Sequence, residues 1–360
     1  MIVCGDTSAD QHAAALVQAL KEKEPNVRIS ALGGIHLQKS ADNFLYPLVG
    51  VGGFGFWEPL LKAPQLWRAC RIYKKALKND RPDVVVPMDY YGFNIHIAKK
   101  ARAAGIPVVY YVSPQVWASR PGRIQKLAAA INKMLVIFPF EEELYRKAGV
   151  PVSFVGHPLL EQLPAPAGES FGPTIGLLPG SRRGTVKRHL PLLVQTAEIL
   201  HQEFPDARCF LFRPEEIEEN FYTPFLQHTP WIKLMSDPAY ETRKTLWLAI
   251  GVSGTAALEN MLLGIPMIIM YKLSRLTYAI AKRLIRVSYI GIPNLLASRA
   301  IVPELLQEDA TPEHLAEAAR PYLSTSRRRA EMRQALLALR STLTGGGSAR
   351  AAEEILAAIP

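Results

Sequence analysis

The strongest constraint in this sequence is a regular alternation of short apolar, β-rich runs with longer helical patterns. In the first half these segments follow one another as residues 2–4, 10–22, 84–88, 94–104, 108–112, 134–138, 141–148 and 152–155. The second half opens with a strand at 174–178, a glycine-marked turn and a helix near 191–203, and continues with 207–212, 246–252, a helix from Thr255 and 267–270. Strand and helix in alternation predict parallel βαβ units, so the fold class is α/β.

The length of the chain predicts two domains. A chain of 360 residues exceeds what one hydrophobic core usually supports. Residues 164–172 are rich in Pro and Gly and predict a linker. We therefore expect two Rossmann-like domains facing a central cleft, at 1–164 and 165–344. Residues 345–360 predict a C-terminal helix, capped by Ser348, that packs back on the first domain.

Composition narrows the classes of function. The net charge of +10 favours an anionic partner: a phosphorylated substrate, an acidic membrane or nucleic acid. Nucleic acid is not favoured, because the basic residues are scattered and no nucleic-acid-binding motif is present. Three isolated cysteines, Cys4, Cys70 and Cys209, indicate neither a disulfide framework nor a zinc site and fit a reducing cytoplasm. No secretory signal or membrane-spanning run is recognisable.

Two glycine-marked turns follow predicted strands of the second half. One comprises Pro179, Gly180, Ser181 and Arg182, and the other comprises Ser253, Gly254 and Thr255. In open α/β sheets, ligands bind at such turns, where helix N-termini present unpaired N–H groups. Glu259, one turn into the second helix, is placed to accept hydrogen bonds from a sugar diol. Either turn alone could be an ordinary helix cap, but two turns, one with an arginine, favour a nucleoside diphosphate.

Asp89 is the candidate general base. It ends the apolar run 84–88, so it lies at the carboxyl end of a first-domain strand. A single carboxylate suffices to take the proton of an attacking sugar hydroxyl in an inverting displacement. The alternative is a structural aspartate that caps the next helix. No D-x-D pair and no metal-ligand spacing occur, so we expect no metal and no cofactor, with leaving-group charge stabilised by Arg182 and helix N-termini.

The segment 51–73 is unusually aromatic and is followed by basic residues at 68, 71, 74, 75 and 78. An apolar and basic surface of this kind favours an anionic lipid. A helix that packs on the core and points its lysines to solvent explains the pattern equally well.

Over nearly its whole length the chain resembles the lipid-A-disaccharide synthase family, which are inverting glycosyltransferases of the GT-B type. In the first half the resemblance rests on residues 5–12 (GDTSADQH), 55–58 (GFWE), 89–94 (DYYGFN), 111–117 (YVSPQVW) with Arg120, and 154–158 (FVGHP). In the second half it rests on 177–182 (LLPGSR), 253–259 (SGTAALE), Tyr271, 281–284 (AKRL), 293–296 (PNLL) and 302–307 (VPELLQ).

The resemblance implies transfer of a diacylated glucosamine from UDP onto 2,3-diacylglucosamine 1-phosphate, at the cytoplasmic face of the inner membrane, with a homodimer left open. Asp89 would be the base and Arg182 would also act in catalysis. UDP would be held by Gly180, Ser181, Arg182, Ser253, Gly254, Thr255, Glu259, Tyr271, Lys272 and Asn294. The acceptor would contact Ser8, Asp10, His12, Phe56, Trp57, Glu58, Ser113, Trp117 and Arg120.

The chain departs from the family pattern mainly around the acceptor. Asp6 and Ala9 stand where the family usually has Glu and Gly, and Gly92 replaces a second carboxylate. Three alternatives therefore remain: a GT-B enzyme with another lipid-linked acceptor, a UDP-sugar epimerase, and a non-catalytic binder of acylated phospho-sugar or anionic membrane.

Overall fold

The computed structural model describes residues 1–49, 63–115, 122–168, 172–274, 277–278 and 287–359. The chain forms two compact units, one of Met1–Glu161 with Leu343–Pro360 and one of Gln162–Thr342. The chain leaves the first unit shortly before the predicted linker at 164–172 and returns to it for its last residues. No helix within the described ranges combines the length and apolar character that a bilayer crossing requires.

The first unit is built on a parallel sheet. Its described strands, in the order β3-β2-β1-β4-β5-β6-β7, are β1 (Ile2–Cys4), β2 (Ser30–Gly33), β3 (Asn43–Pro47), β4 (Val86–Met88), β5 (Val109–Tyr111), β6 (Lys133–Val136) and β7 (Val152–Phe154). Most of these strands are buried, which explains their continuous apolar sequence. The strand order reverses between β1 and β4, so the topological switch point of this unit lies there.

Helices connect these strands and enclose the core of the first unit. The described helices are α1 (Thr7–Lys23), α2 (Ile35–Ser40), α3 (Ala63–Asn79), α4 (Tyr91–Ala103), α5 (Arg123–Ala128), α6 (Pro139–Lys147) and α7 (Leu159–Gln162), together with α14 (Gly347–Leu356) from the last residues of the sequence. The α14 helix packs against α1. Aromatic side chains such as Tyr73, Tyr110 and Tyr145 are fully buried within this core.

The second unit repeats the architecture. Its described parallel strands, in the order β10-β9-β8-β11-β12-β13, are β8 (Thr174–Leu178), β9 (Arg208–Phe212), β10 (Ile232–Met235), β11 (Leu248–Val252), β12 (Met267–Tyr271) and β13 (Glu304–Leu306). Its described α-helices are α8 (Arg183–Glu203), α9 (Thr223–Leu226), α10 (Thr255–Leu263), α11 (Ile292–Ala297), α12 (Pro312–Ser324) and α13 (Ser326–Thr342). The switch point lies between β8 and β11. The α/β class with two Rossmann-like sheets is therefore confirmed.

Several helices begin earlier than the sequence-based prediction has them, among them α8 and α14. The α8 helix begins at Arg183 rather than near Pro191, and the proline lies inside it. Burial of the α8 residues Val186, Leu190 and Leu193 in the core of the second unit outweighs the loss of one helical hydrogen bond at the proline. The α14 helix begins at Gly347, so Ser348 is not its N-cap.

A side chain from elsewhere in the first unit caps α14. The Glu161 carboxylate accepts a hydrogen bond from the Ser348 N–H at 2.7 Å. A carboxylate at a helix N-terminus satisfies an unpaired donor and interacts favourably with the helix dipole. The local sequence around Ser348 suggested a serine cap, but the capping residue is distant in sequence.

The chain's return to the first unit depends on a close approach of two glycines. Gly156 has a φ of +84°, and a Cβ added to it would lie 2.6 Å from the backbone nitrogen of Gly345. Backbone atoms cannot move aside as a flexible side chain can. The contact therefore requires the absence of a side chain at position 156.

We expect Gly156→Ala to lower the free energy of unfolding by about 2 kcal/mol or more, because it combines a left-handed backbone with a collision. Chemical denaturation followed by circular dichroism measures the change. Gly122→Ala is the matched control: Gly122 has a φ of −63°, and no atom of the described residues lies within 4 Å of an added Cβ. Equal stability changes in the two variants would contradict the prediction.

Candidate active site

The switch point of the first unit carries the candidate base. The loop after β1 contains Gly5 and Asp6, and the loop after β4 contains Asp89 and Tyr90. The two loops are adjacent, since a Cβ on Gly5 would lie 2.4 Å from the Tyr90 ring. Ligands of open α/β sheets bind at this position. Asp89 therefore occupies the place where the chemistry of such folds usually occurs.

The backbone of Asp89 is held in a sparsely populated conformation. Asp89 and Tyr90 have φ values of +47° and +34°, and the β-branched Val112 has a φ of +60°. The Asp89 N–H donates to the Val112 carbonyl at 3.1 Å. The Asp89 carbonyl accepts hydrogen bonds from Tyr110 Oη and from Asn94 Nδ2. Strained backbone persists where neighbouring bonds over-determine it, and such positions cluster at functional sites.

The environment of the Asp89 carboxyl favours its protonated form. Burial, and secondarily the negative charge of Asp6, raise its pKa from 3.8 to about 7, against the lowering effect of a hydrogen bond from the Tyr90 N–H. A carboxyl with a pKa near neutrality is suited to accept and release a proton at physiological pH. The N-cap of α4 is Tyr90, so the alternative role of Asp89 as the cap residue is not what the structure shows.

Three predicted acceptor residues are engaged by the protein itself. The buried Asp10 carboxylate accepts hydrogen bonds from the Gly34, His36 and Leu37 N–H groups, at 2.7, 2.9 and 3.3 Å, and so caps α2. Ser113 Oγ lies 2.8 Å from Tyr145 Oη. His12 faces His157 edge-on at 5.7 Å, and its burial lowers its pKa to about 4. The Asp10, His12 and Ser113 side chains therefore bond to or pack against neighbouring groups of the protein, which fixes their positions.

The remaining predicted acceptor residues divide into two sets. Ser8 lies partly exposed in the first turn of α1, close in sequence to Asp6. The others fall outside the described residues: Phe56, Trp57, Glu58, Trp117 and Arg120.

In the second unit, both glycine-marked turns flank the switch point between β8 and β11. Arg182 is the exposed N-cap residue of α8, and Gly254, with a φ of +143°, is the N-cap residue of α10. Residues 181 and 255 are likewise exposed. The φ of Gly254 lies in a region that residues with a Cβ rarely adopt. The structure thus brings two helix N-termini to the adjacent ends of β8 and β11, where they can bind phosphate.

Other predicted nucleotide residues make bonds within the second unit. Ser253 Oγ donates to the Ile290 carbonyl at 2.9 Å. Asn294 is buried: its amide nitrogen donates to Val302 and Glu304, and its amide oxygen accepts from Ile301 and Val302. The predicted contact of Asn294 with UDP would require one of these four bonds to be exchanged.

The predicted uracil segment is fixed by a buried histidine. His189 Nε2 accepts a hydrogen bond from the Lys272 N–H at 3.0 Å, so its Nδ1 carries the proton that is donated to the Thr185 carbonyl. The His189 ring also lies 5.1 Å from the Tyr271 ring. Gln307 Oε1 accepts a hydrogen bond at 2.6 Å from the N–H of Leu273, the residue that follows Lys272. The neutral histidine therefore holds the end of β12 in place.

Sequence reasoning missed several residues that shape the site. Tyr110 and Val112 hold Asp89, yet both read as ordinary strand residues in the sequence. Arg243 pairs with Glu259 at 2.6 Å, but it lies in a short 3-10 helix, Arg243–Thr245, without a motif. Among the residues that the structure describes, no group of three or more His, Cys, Asp or Glu side chains is arranged to hold a metal ion.

The chain matches a protein-family model and curated relatives over nearly its whole length. The family model described as lipid-A-disaccharide synthetase matches residues 1–359. The chain is 37% identical to a lipid-A-disaccharide synthase of Syntrophus aciditrophicus, with 98% of this chain and 95% of the relative covered. It is 36% identical to the synthase of Myxococcus xanthus, with 100% and 97% covered.

Solved structures share the fold at low sequence identity. The calicheamicin glycosyltransferase CalG4 matches with a TM-score of 0.66 and 13% identity, over 99% of this chain and 97% of that one. The UDP-GlcNAc 2-epimerase of Neisseria meningitidis, solved with UDP-GlcNAc, matches with a TM-score of 0.65 and 11% identity, over 99% and 100%. At such identities the likeness extends to the fold alone.

The raised pKa of Asp89 predicts a pH-dependent stability difference. The folded protein binds this proton more tightly than the unfolded chain does, so the carboxyl destabilises the fold progressively as pH rises from about 4 through about 7. Asp89→Asn removes the ionisation and is compatible with a positive φ. We expect it to be the more stable protein at pH 8, by at most about 4 kcal/mol, with the difference vanishing near pH 4. Urea unfolding across this range tests it, and a pH-independent difference would contradict it.

Proposed function

The chain belongs to the lipid-A-disaccharide synthase family and is a hexosyltransferase of lipid A biosynthesis, and we propose the residues and substrates through which it acts. The donor is UDP-2,3-diacylglucosamine and the acceptor is 2,3-diacylglucosamine 1-phosphate. The products are the β-1,6-linked disaccharide 1-phosphate and UDP. The assignment of roles rests on Asp89 at the switch point of the first unit. Its backbone is strained, and its carboxyl has a raised pKa.

The proposed reaction is one inverting displacement. The acceptor 6-hydroxyl oxygen forms a bond to the anomeric carbon of the donor sugar while the bond from that carbon to UDP breaks. Asp89 takes the hydroxyl proton, and UDP leaves with the electron pair. A base with a pKa near 7 matches this task, because it is partly ionised at the operating pH and still holds the proton effectively once transferred.

The second unit would bind the leaving group. Arg182 carries a guanidinium beside the N-terminus of α8, and α10 presents a second N-terminus on the other side of the switch point. Both can stabilise the charge that develops on the diphosphate. Ser181, Ser253 and Thr255 supply hydroxyl groups to the same region, and Tyr271 and Lys272 would face the uracil.

The alternatives are not favoured. Solved UDP-GlcNAc 2-epimerases share the fold, but at 11% and 16% identity their likeness does not extend to the reaction. The curated synthases match over nearly the whole length at 36–37% identity. A homodimer stays a prediction.

We further propose that α3 brings the first unit to the cytoplasmic face of the inner membrane. The helix buries Ala69, Tyr73, Ala76 and Leu77, as any helix packed on a core would. Its outer side carries exposed basic residues at 68, 71, 74, 75 and 78. Trp67 is 67% exposed on the same helix, with the Arg71 guanidinium 5.8 Å from its ring. An exposed indole among cations suits the interface of an anionic bilayer.

Asp89→Asn should lower kcat by roughly 10²–10⁴-fold, because the acceptor hydroxyl loses its base while the site keeps its shape. Release of UDP from UDP-2,3-diacylglucosamine and 2,3-diacylglucosamine 1-phosphate, without added metal, measures the effect, and mass spectrometry identifies the disaccharide. The affinity for UDP should not change.

Asp80→Asn is the matched control, since Asp80 is an exposed carboxylate that follows α3 in the same unit. Its turnover should equal that of the unmodified protein. Full activity of Asp89→Asn would refute the role of the base, and a product other than the β-1,6 disaccharide would refute the proposed substrates.

Trp67→Ser should weaken binding to vesicles that contain phosphatidylglycerol by about threefold or more, because the indole no longer enters the interface. Vesicle flotation measures the bound fraction. Ile35→Ser is the control: Ile35 is another exposed large apolar residue of the first unit, 61% exposed, but lies on α2. If both variants bind as the unmodified protein does, α3 is not the membrane contact.

A further inference from the structure

A nearly buried ion pair joins Glu259 to the loop before β11. Arg243 Nη1 lies 2.6 Å from Glu259 Oε2, and the two side chains are only 8% and 14% exposed. Glu259 lies on α10, whose N-terminus is one of the two at the switch point of the second unit. The pair therefore lies next to the proposed nucleotide site rather than in the interior of the sheet.

Every nitrogen of the Arg243 guanidinium is directed at the first two turns of α10. Nη1 donates to Glu259, Nε donates to Asn260 Oδ1 at 2.8 Å, and Nη2 donates to the Ala256 carbonyl at 2.7 Å. A planar guanidinium bound at three points cannot rotate without breaking a bond. The position of the Glu259 carboxylate is consequently fixed relative to the backbone of α10.

The loop that carries Arg243 is itself held rigidly. The Asp237 carboxylate accepts hydrogen bonds from the Glu241, Thr242 and Arg243 N–H groups, at 2.9, 3.0 and 2.7 Å. Tyr240, with a φ of +61°, places its ring 5.4 Å from the guanidinium. Burial first, and the charge of Glu259 second, raise the pKa of the Tyr240 hydroxyl.

A cation beside a helix N-terminus is unfavourable by itself, and burying an ion pair costs desolvation energy. A helix that needed only stability would be served as well by apolar side chains of similar volume. The ion pair of Arg243 with Glu259 has a functional explanation. An ionised carboxylate has about four acceptor positions. The bond from Arg243 leaves some of those on Glu259 for a ligand.

We propose that Arg243 is a positioning residue for ribose recognition: it holds the Glu259 carboxylate so that this group accepts hydrogen bonds from both ribose hydroxyls of a uridine diphosphate. The inference rests on the proposed function, since it concerns the nucleotide site of that same enzyme. Arg243 does not touch the nucleotide. It acts through Glu259 and determines the preference for a ribose that carries both hydroxyl groups.

The test compares the dissociation constants of UDP and 2′,3′-dideoxyuridine 5′-diphosphate, measured by titration calorimetry. The unmodified protein should prefer UDP by about tenfold or more, the value of hydrogen bonds to a charged group. In Arg243→Gln the preference should fall to within about threefold of unity, and Arg243→Lys, which keeps the charge but not the fork, should be intermediate. The double variant of Arg243→Gln with Glu259→Gln should show no smaller preference than Glu259→Gln alone.

Arg329→Gln controls for loss of a buried guanidinium. Arg329 is 3% exposed, donates to the Tyr322 carbonyl and lies 3.7 Å from the Trp247 ring. It should lower the thermal midpoint and leave the preference unchanged. If Arg243→Gln does not fold, Arg243→Lys decides. An unchanged preference in the folded Arg243 variants, or no preference in the unmodified protein, overturns the inference alone, whereas failure of the unmodified protein to bind UDP overturns the proposed function.

Discussion

Parallel pairing of β1 with β4 and of β8 with β11 is the constraint on which the candidate site depends. In each unit the later strands are added to the sheet on opposite sides of these two central strands. The helices that follow the two strands therefore diverge. The carboxyl ends of the two strands are left with open loops, polar backbone and helix N-termini. Asp89 follows β4 and the two glycine-marked turns follow β8 and β11. The reactive groups are thus placed by topology before any side chain makes a specific contact.

Strand and helix patterning was enough to predict the α/β class, and the motifs were enough to predict the family; both are confirmed. The prediction was weakest where long-range packing outweighs a local signal. Pro191 suggested a helix start but lies inside α8, and Ser348 suggested a cap although Glu161 supplies it. Asp10 lies in a family motif, yet its carboxylate caps α2. Sequence alone does not show whether a polar side chain faces a ligand or a neighbouring backbone.

Arg243 is the converse case, because the sequence does not mark it as part of the proposed nucleotide site. It begins a short 3-10 helix without a recognisable sequence pattern, and its importance appears only from its three hydrogen bonds to α10. For Asp89, the sequence indicates the position but not the backbone conformation. Its position after an apolar run is evident in the sequence, but its φ of +47° and its bonds to residues 94, 110 and 112 are not. These contacts keep an energetically unfavourable backbone in place at a group that is itself costly to ionise.

The first unit contains chain from both ends of the sequence, and this has a consequence for biosynthesis. During translation the sheet from β1 to β7 emerges well before α14, which packs on α1 and whose approach depends on the contact of Gly345 with Gly156. The second unit, continuous from Gln162 to Thr342, is synthesised in full before α14 is. The unit whose synthesis begins first is therefore completed after the second unit, and its α1 surface stays open to chaperones and proteases until α14 packs on it.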